Sequence, residues 1–329
     1  MSIANFVLTR PAHYSIIILM KKTKDKILLI ILGISLIIAI VALVLLCIKS
    51  KKNNKGAKTT ILADATITKT TEDTSDKTEN TSETLTEEAT TEEPTSETKE
   101  SIVSRDAKYN KMALEAKEKG QKVVYLTFDD GSGALTPTVL DILDQYGVKA
   151  TFFVVAEYSP SEDFAKEQYN NIISKDHTLG IHSFTHSRAN IYQSLDSFKT
   201  DVDKIYEFIN RLTGYTPFVS RFPGGSATSF ADERMSTEYI PYVLSKGLTY
   251  YDWNVSSGDG SGSITSDQVY QNVINGVQSK DTSVVLMHDG SGHEATVEAL
   301  PRILDTLINQ MNCVILPITE STTPVQSKK

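Results

Sequence analysis

From about residue 120 the chain settles into one repeated pattern, which limits its fold more than any other feature. Short apolar, β-branched or aromatic runs occur at 123–128 (VVYLTF), 150–155 (ATFFVV), 178–182 (TLGIH), 218–222 (FVSRF), 249–254 (TYYDWN), 283–288 (SVVLMH) and 313–318 (CVILPI). Runs of this length and composition suit strands buried on both faces, as in a parallel sheet. Helical stretches separate most of them. In the clearest, 195–212, Leu195, Phe198, Val202, Ile205, Ile209 and Leu212 recur at steps of three and four, and Gly214 ends it. Another runs through Val269, Val273, Ile274 and Val277. Thr136-Pro137 reads as a helix start and Gly147 as its stop. The expected class is α/β: a distorted or incomplete (β/α) barrel of about seven parallel strands. An open doubly wound sheet is the alternative.

The polar residues favour the barrel. Asp129-Asp130, His182, Arg221, Asp252 and His288 each lie at or just beyond the C-terminal end of a different expected strand. That is the face where barrel enzymes gather their chemistry. His182 and His186 are four apart, a spacing that puts both imidazoles on one face of a helical turn. Two imidazoles and a carboxylate make a three-ligand zinc site with a position left for water. Asp129 and Asp130 offer two adjacent carboxylates, one able to bind metal while the other takes a proton.

The rest of the chain has a different character. Formal net charge is −8, but residues 64–100 alone carry 12 Asp/Glu against 3 Lys, so the remainder is near neutral. No Lys/Arg-rich face appears outside the lysines that flank residues 27–48, which argues against a nucleic-acid partner. Residues 27–48 are uncharged, and as a helix would reach about 33 Å, enough to cross a bilayer. They exceed an ordinary signal-peptide h-region and no A-x-A-like cleavage site follows, so a retained signal anchor in a bacterial plasma membrane is expected. Residues 49–117 are rich in Thr, Ser and Glu, and residues 49–110 are too poor in large apolar residues to bury a core. The sequence therefore divides into a cytoplasmic segment (1–26), a single span (27–48), an extracellular disordered linker (49–117), a folded domain (118–320) and a C-terminal tail (321–329). The two cysteines, Cys47 in the span and Cys313 in an expected strand, make no disulfide framework.

TFDDG (127–131), HSFTH (182–186), RFPGG (221–225), DWN (252–254) and LMH (286–288) resemble, in order, the five motifs of the polysaccharide deacetylases of carbohydrate esterase family 4, the NodB-homology domain. Within it, YLTFDDG, the IHSFTH block, RFPGG and YDWNVSSGD look most like peptidoglycan N-acetylglucosamine deacetylases. The resemblance implies that Asp130, His182 and His186 hold a divalent metal: Zn2+, or another transition ion such as Co2+ or Mn2+. It implies Asp129 as general base, Arg221 as its partner, His288 as general acid, and Asp252 as the carboxylate that tunes that histidine. The Gly224 amide would stabilise an oxyanion, and Trp253 and Leu286 would wall an acetyl-methyl pocket. The implied activity is metal-dependent removal of acetyl groups from N-acetylglucosamine of peptidoglycan, by a single-pass membrane protein with its catalytic domain outside the cell. Another N-acetylated glycan or acetylated xylan as substrate, or a silent wall-binding protein, are the alternatives. The chain departs from the family at Ser132-Gly133, at Lys175-Asp176 and in the Gly/Ser-rich stretch 258–263, none of which removes an expected ligand or proton carrier.

Overall fold

The structure, a computed structural model, describes residues 96–329. The expected anchor at 27–48, the segment before it and most of the linker lie outside the described residues. Among the described residues no helix is long and apolar enough to cross a membrane.

Eight strands form one sheet, and every pairing in it is parallel. In chain order they are β1 (Val123–Gly131), β2 (Thr151–Val155), β3 (Thr178–Ser183), β4 (Val219–Ser220), β5 (Thr249–Tyr250), β6 (Val255–Ser256), β7 (Thr282–His288) and β8 (Val314–Ile315). The spatial order is β5-β4-β3-β2-β1-β7-β6, with β8 paired to the start of β1. β5 and β6 are neighbours in sequence yet lie at opposite edges. The four residues between them cross the opening: Tyr251 N–H donates to Ser220 O at 2.9 Å, and Asn254 N–H to Val284 O at 3.1 Å. This crossing makes the sheet an incomplete barrel rather than an open doubly wound sheet.

Each of the seven expected runs contains a strand. β6 was not expected, because two residues beside a glycine-rich loop carry no periodic signal. Side chains alternate across each strand. Val123, Tyr125, Phe153, Val219, Tyr251, Val284, Leu316 and Ile318 form an inner cluster. Val124, Leu126, Phe128, Phe152, Val154, Val285 and Met287 face outward into the larger core against the helices. That outer layer is covered by α2 (Thr136–Gln145), α3 (Glu162–Ser174), α4 (Arg188–Ile191), α5 (Leu195–Thr213), α6 (Ile240–Ser245), α7 (Ser266–Gln278) and α8 (Glu294–Asp305). α5 ends as its sequence indicates, with Gly214 in the left-handed region at φ 69°.

Two expectations need correction. Residues 96–117 are not linker: Ser96–Glu118 is a helix, α1. Its buried Tyr109 and Ala116, with the partly buried Ala113, join the inner cluster next to Val123, at the N-terminal end of the barrel. Arg105 donates to His177 O at 3.0 Å, and Asp106 accepts from Glu320 N–H at 3.0 Å. The helix is polar overall, and its apolar contact is a 109–113–116 stripe and Ile102, inside a Ser/Thr/Glu-rich context. Nor does the C-terminal tail, 321–329, stand apart from the folded domain. Tyr251 Oη donates to Thr322 O at 2.7 Å, and Ser327 N–H donates to Asp252 at 2.7 Å.

Candidate metal and catalytic site

The site lies where β1, β3, β4 and β7 end. Strand parity turns Thr127 and Asp129 of β1 inward above Val123 and Tyr125. Asp129 is buried at 3 % exposure, a position that demands a partner for its charge. Arg221, just past β4 and 1 % exposed, supplies it: Nη1 donates to Asp129 Oδ1 at 2.8 Å and to Thr127 Oγ1 at 2.7 Å. The rest of the guanidinium is also held, by Tyr251 O at 2.9 Å and Asp252 O at 3.0 Å, with Phe153 under it at 4.3 Å. Asp129 Oδ2 is left facing His182 Nε2 at 3.8 Å.

His182 sits on β3 and His186 on the turn after it, not on a helix as the four-residue spacing suggested. The turn works because Asp201 of α5 ties it down. Asp201 accepts from Ser183 Oγ, Phe184 N–H, Thr185 N–H and Thr185 Oγ1 at 2.7–3.0 Å, while Ser183 Oγ accepts from His186 N–H at 2.7 Å. His186 and Asp130 both adopt the left-handed backbone region, φ 57° and 68°. Such conformations are costly for residues with a Cβ and concentrate at functional sites. They bring His186 Nε2 to 3.4 Å and His182 Nε2 to 3.6 Å from Asp130 Oδ1.

Three further observations fit a cation at this point. Asp130 Oδ1 is buried with no hydrogen-bond partner. His182 Nδ1 lies 2.7 Å from Arg221 O, an acceptor only, so Nδ1 carries a proton and Nε2 is the atom turned to Asp130. Burial, then the neighbouring His182, pushes the His186 pKa down to about 4, which keeps that imidazole neutral and able to ligate. Ligand atoms about 2.0–2.2 Å from a tetrahedral zinc stand about 3.4 Å apart, close to the spacing seen.

A second His/Asp group, Asp259 with His288 and His293, is equally close-set, but its carboxylate is already engaged. Asp259 Oδ1 accepts from His288 Nδ1 and Ser257 Oγ, both at 2.7 Å. Oδ2 accepts from His288 N–H at 2.8 Å and Thr296 Oγ1 at 2.6 Å. That group is a hydrogen-bond network rather than a cation site. It corrects the expected role of Asp252. The carboxylate on His288 is Asp259, in the loop after β6. Asp252 instead accepts from Ser226 N–H at 2.8 Å and Ser327 N–H at 2.7 Å, tying the RFPGG turn to the C-terminal segment. The swap follows from topology: Asp252 lies on the segment crossing the barrel opening, while the chain beyond β6 returns to β7.

Burial alone would lower the His288 pKa. The Asp259 hydrogen bond and the Asp129, Asp259 and Asp130 charges outweigh it and raise the value to about 9. His288 pairs in register with Asp129 across β1 and β7, so the expected acid and base stand on adjacent strands. Leu286, two residues earlier on the same face, pairs with Thr127. Gly224 and Gly225 have φ of 82° and 77°, and a Cβ on Gly225 would meet the Trp253 ring at 2.9 Å. Trp253 thus lies against the glycine turn. A cleft of about 500 Å³ opens beside Asp130, bounded by Glu157, Tyr158, Ser291 and His293.

Sequence reasoning missed Asp201, Asp259 and Tyr158. Asp201 carried a signal, a carboxylate inside the apolar Phe198–Val202–Ile205 stripe. Asp259 carried one too, as the last residue of the YDWNVSSGD stretch. Tyr158 Oη lies 3.2 Å from His186 Nδ1, so it supports that ligand from outside the cleft floor.

Comparison with known proteins agrees with this geometry. A family model described as polysaccharide deacetylase matches residues 116–240. A peptidoglycan-N-acetylglucosamine deacetylase of Bacillus cereus is 32% identical over 195 residues, covering 57% of this chain and 67% of the relative. The first curated relatives are matched over 62–67% of their length. The crystal structure of the catalytic domain of a peptidoglycan N-acetylglucosamine deacetylase from Eubacterium rectale superposes with a TM-score of 0.58 at 38% identity, covering 63% of this chain and 93% of that one. A polysaccharide deacetylase structure from Bacillus cereus gives a TM-score of 0.55 at 30% identity, covering 63% and 97%. The chain belongs to the polysaccharide deacetylases of carbohydrate esterase family 4.

Proposed function

We propose that this protein removes acetyl groups from N-acetylglucosamine residues of peptidoglycan, using a divalent transition metal held by Asp130, His182 and His186. The observation that carries the reading is the buried, unpartnered Asp130 Oδ1 facing two imidazole nitrogens, with the Asp129–Arg221 pair beside it. A zinc ion there, when bound, supplies Lewis acidity toward the amide carbonyl and lowers the pKa of water. The protein's own groups do the rest. Asp129 Oδ2 takes the proton from the attacking water, because Oδ1 is occupied by Arg221. Arg221 holds the carboxylate in place. The Gly224 N–H donates to the oxygen that gains charge at the tetrahedral carbon. His288 gives its Nε2 proton to the departing amine, and Asp259 holds the Nδ1 side. Trp253 and Leu286 enclose the acetyl methyl. Net, water adds across the amide bond, releasing acetate and leaving a glucosamine.

The uncharged run at 27–48 and the Thr/Ser/Glu-rich stretch after it support work at the outer face of a bacterial membrane, within reach of the wall. The test is acetate release from purified wall glycan by zinc-loaded protein, with and without chelator. Mass spectra of the digests would identify the deacetylated sugar. Release that chelator leaves untouched, or loss of acetyl only from muramic acid, would overturn the reading.

A further inference from the structure

Beside the Gly224 turn stands a cation that the mechanism does not use. Arg188 opens α4, two residues after His186. It is exposed, and among the described residues it has neither an ion-pair partner nor a side-chain hydrogen bond. It is nevertheless held in place. Its guanidinium lies 5.2 Å from the Phe230 ring centroid, and Nη1 would stand 3.4 Å from a Cβ on Gly224. These contacts place it beside the Gly224 turn. Phe230 is itself 45 % exposed, so ring and guanidinium are both open to a ligand. A guanidinium that rests on a ring but has no ion-pair partner keeps its hydrogen-bonding fork free. It gains when an anion arrives, because a guanidinium fork matches a carboxylate.

We propose that Arg188, seated on Phe230 beside the Gly224 turn, is a specificity residue that binds a carboxylate on the glycan: the carboxylate borne on the lactyl ether of the adjoining muramic acid or on its stem peptide. The inference rests on the deacetylase reading and narrows its substrate class to anionic wall glycan over neutral chitin-like oligomers. A carboxylate reaching Arg188 fixes which sugar ring sits over Asp129 and Asp130.

The test compares the zinc-loaded full chain with Arg188→Gln and Arg188→Lys on three soluble substrates. These are wall glycan with intact stems, the same glycan after amidase treatment leaves the free lactyl carboxylate, and a neutral chitooligosaccharide. Arg188→Gln is expected to raise KM roughly tenfold, the scale of one charge-assisted hydrogen bond, on at least one anionic substrate. It should leave kcat there and both constants on the chitooligosaccharide unchanged, and Arg188→Lys should recover part of the loss. Whichever anionic substrate responds identifies the source of the carboxylate. Equal changes on all three substrates, or none on either anionic one, overturn the proposal. Calorimetric binding of the same glycans is measured alongside. If the parent protein releases no acetate, the deacetylase reading fails, and binding that weakens with Arg188→Gln on anionic glycan alone still upholds the carboxylate site. Unweakened binding removes it.

Discussion

Asp129 and Asp130 are chemically identical neighbours with different work, and the difference comes from what each oxygen touches. Asp129 is bonded to a buried guanidinium; Asp130 presents an unpartnered oxygen to two imidazoles. Asp129→Asn should therefore keep zinc and lose about 10²–10⁴-fold in turnover, whereas His182→Ala loses both. Metal content by atomic absorption beside acetate assays separates the two, and equal metal loss in both variants would reverse the labels. Asp259→Asn tests the acid. His288 must be protonated to serve the leaving amine, and Asp259 helps to hold its pKa up near 9. Without that carboxylate the alkaline limb of kcat should move to lower pH, while Asp252→Asn should leave the limb in place.

Among the elements, two connections matter more than any strand. The 183–187 turn depends on α5 through Asp201, so Asp201→Ala should weaken zinc affinity by about 10–100-fold with little change in the circular-dichroism spectrum. An unchanged dissociation constant would mean the turn holds itself. Helix α1 is the second. Tyr109 is 5 % exposed in the inner cluster, and Tyr109→Ala should cost roughly 3–5 kcal/mol if α1 belongs to the fold. Denaturation midpoints read this directly; no shift would return α1 to the linker.

For the molecule as a whole, stability depends on pH through groups far from the chemistry. His177 is fully buried, accepts from Ala150 N–H at 2.9 Å and is held neutral, its pKa pushed down to about 3 by burial first and by Lys149 next. Between its ordinary value of about 6.5 and about 3, the unfolded chain binds a proton that the folded chain does not. Stability should then fall by up to about 1.4 kcal/mol per pH unit as pH drops through that window, and level off below it. Urea unfolding of the parent and of His177→Asn at pH 6.5 and pH 4.5 checks the slope, which should be shallower in the variant.

The strand runs were legible because burial on both faces is a local property: VVYLTF or SVVLMH reads as a strand wherever it goes. Five motifs in order also disclosed Asp129, Asp130, His182 and His186, since these sit at or beside strand ends whose position the runs already fix. Tertiary structure alone decided which carboxylate meets His288. Asp252 and Asp259 are both buried acids on the same stretch, and only the crossing of the barrel opening parts them. It also decided that His186 reaches Asp130 from a left-handed turn, and that a polar helix seals the barrel's other end. A residue's periodicity is set by its neighbours in sequence, but a charge is satisfied by whatever the fold brings to it from elsewhere in the chain.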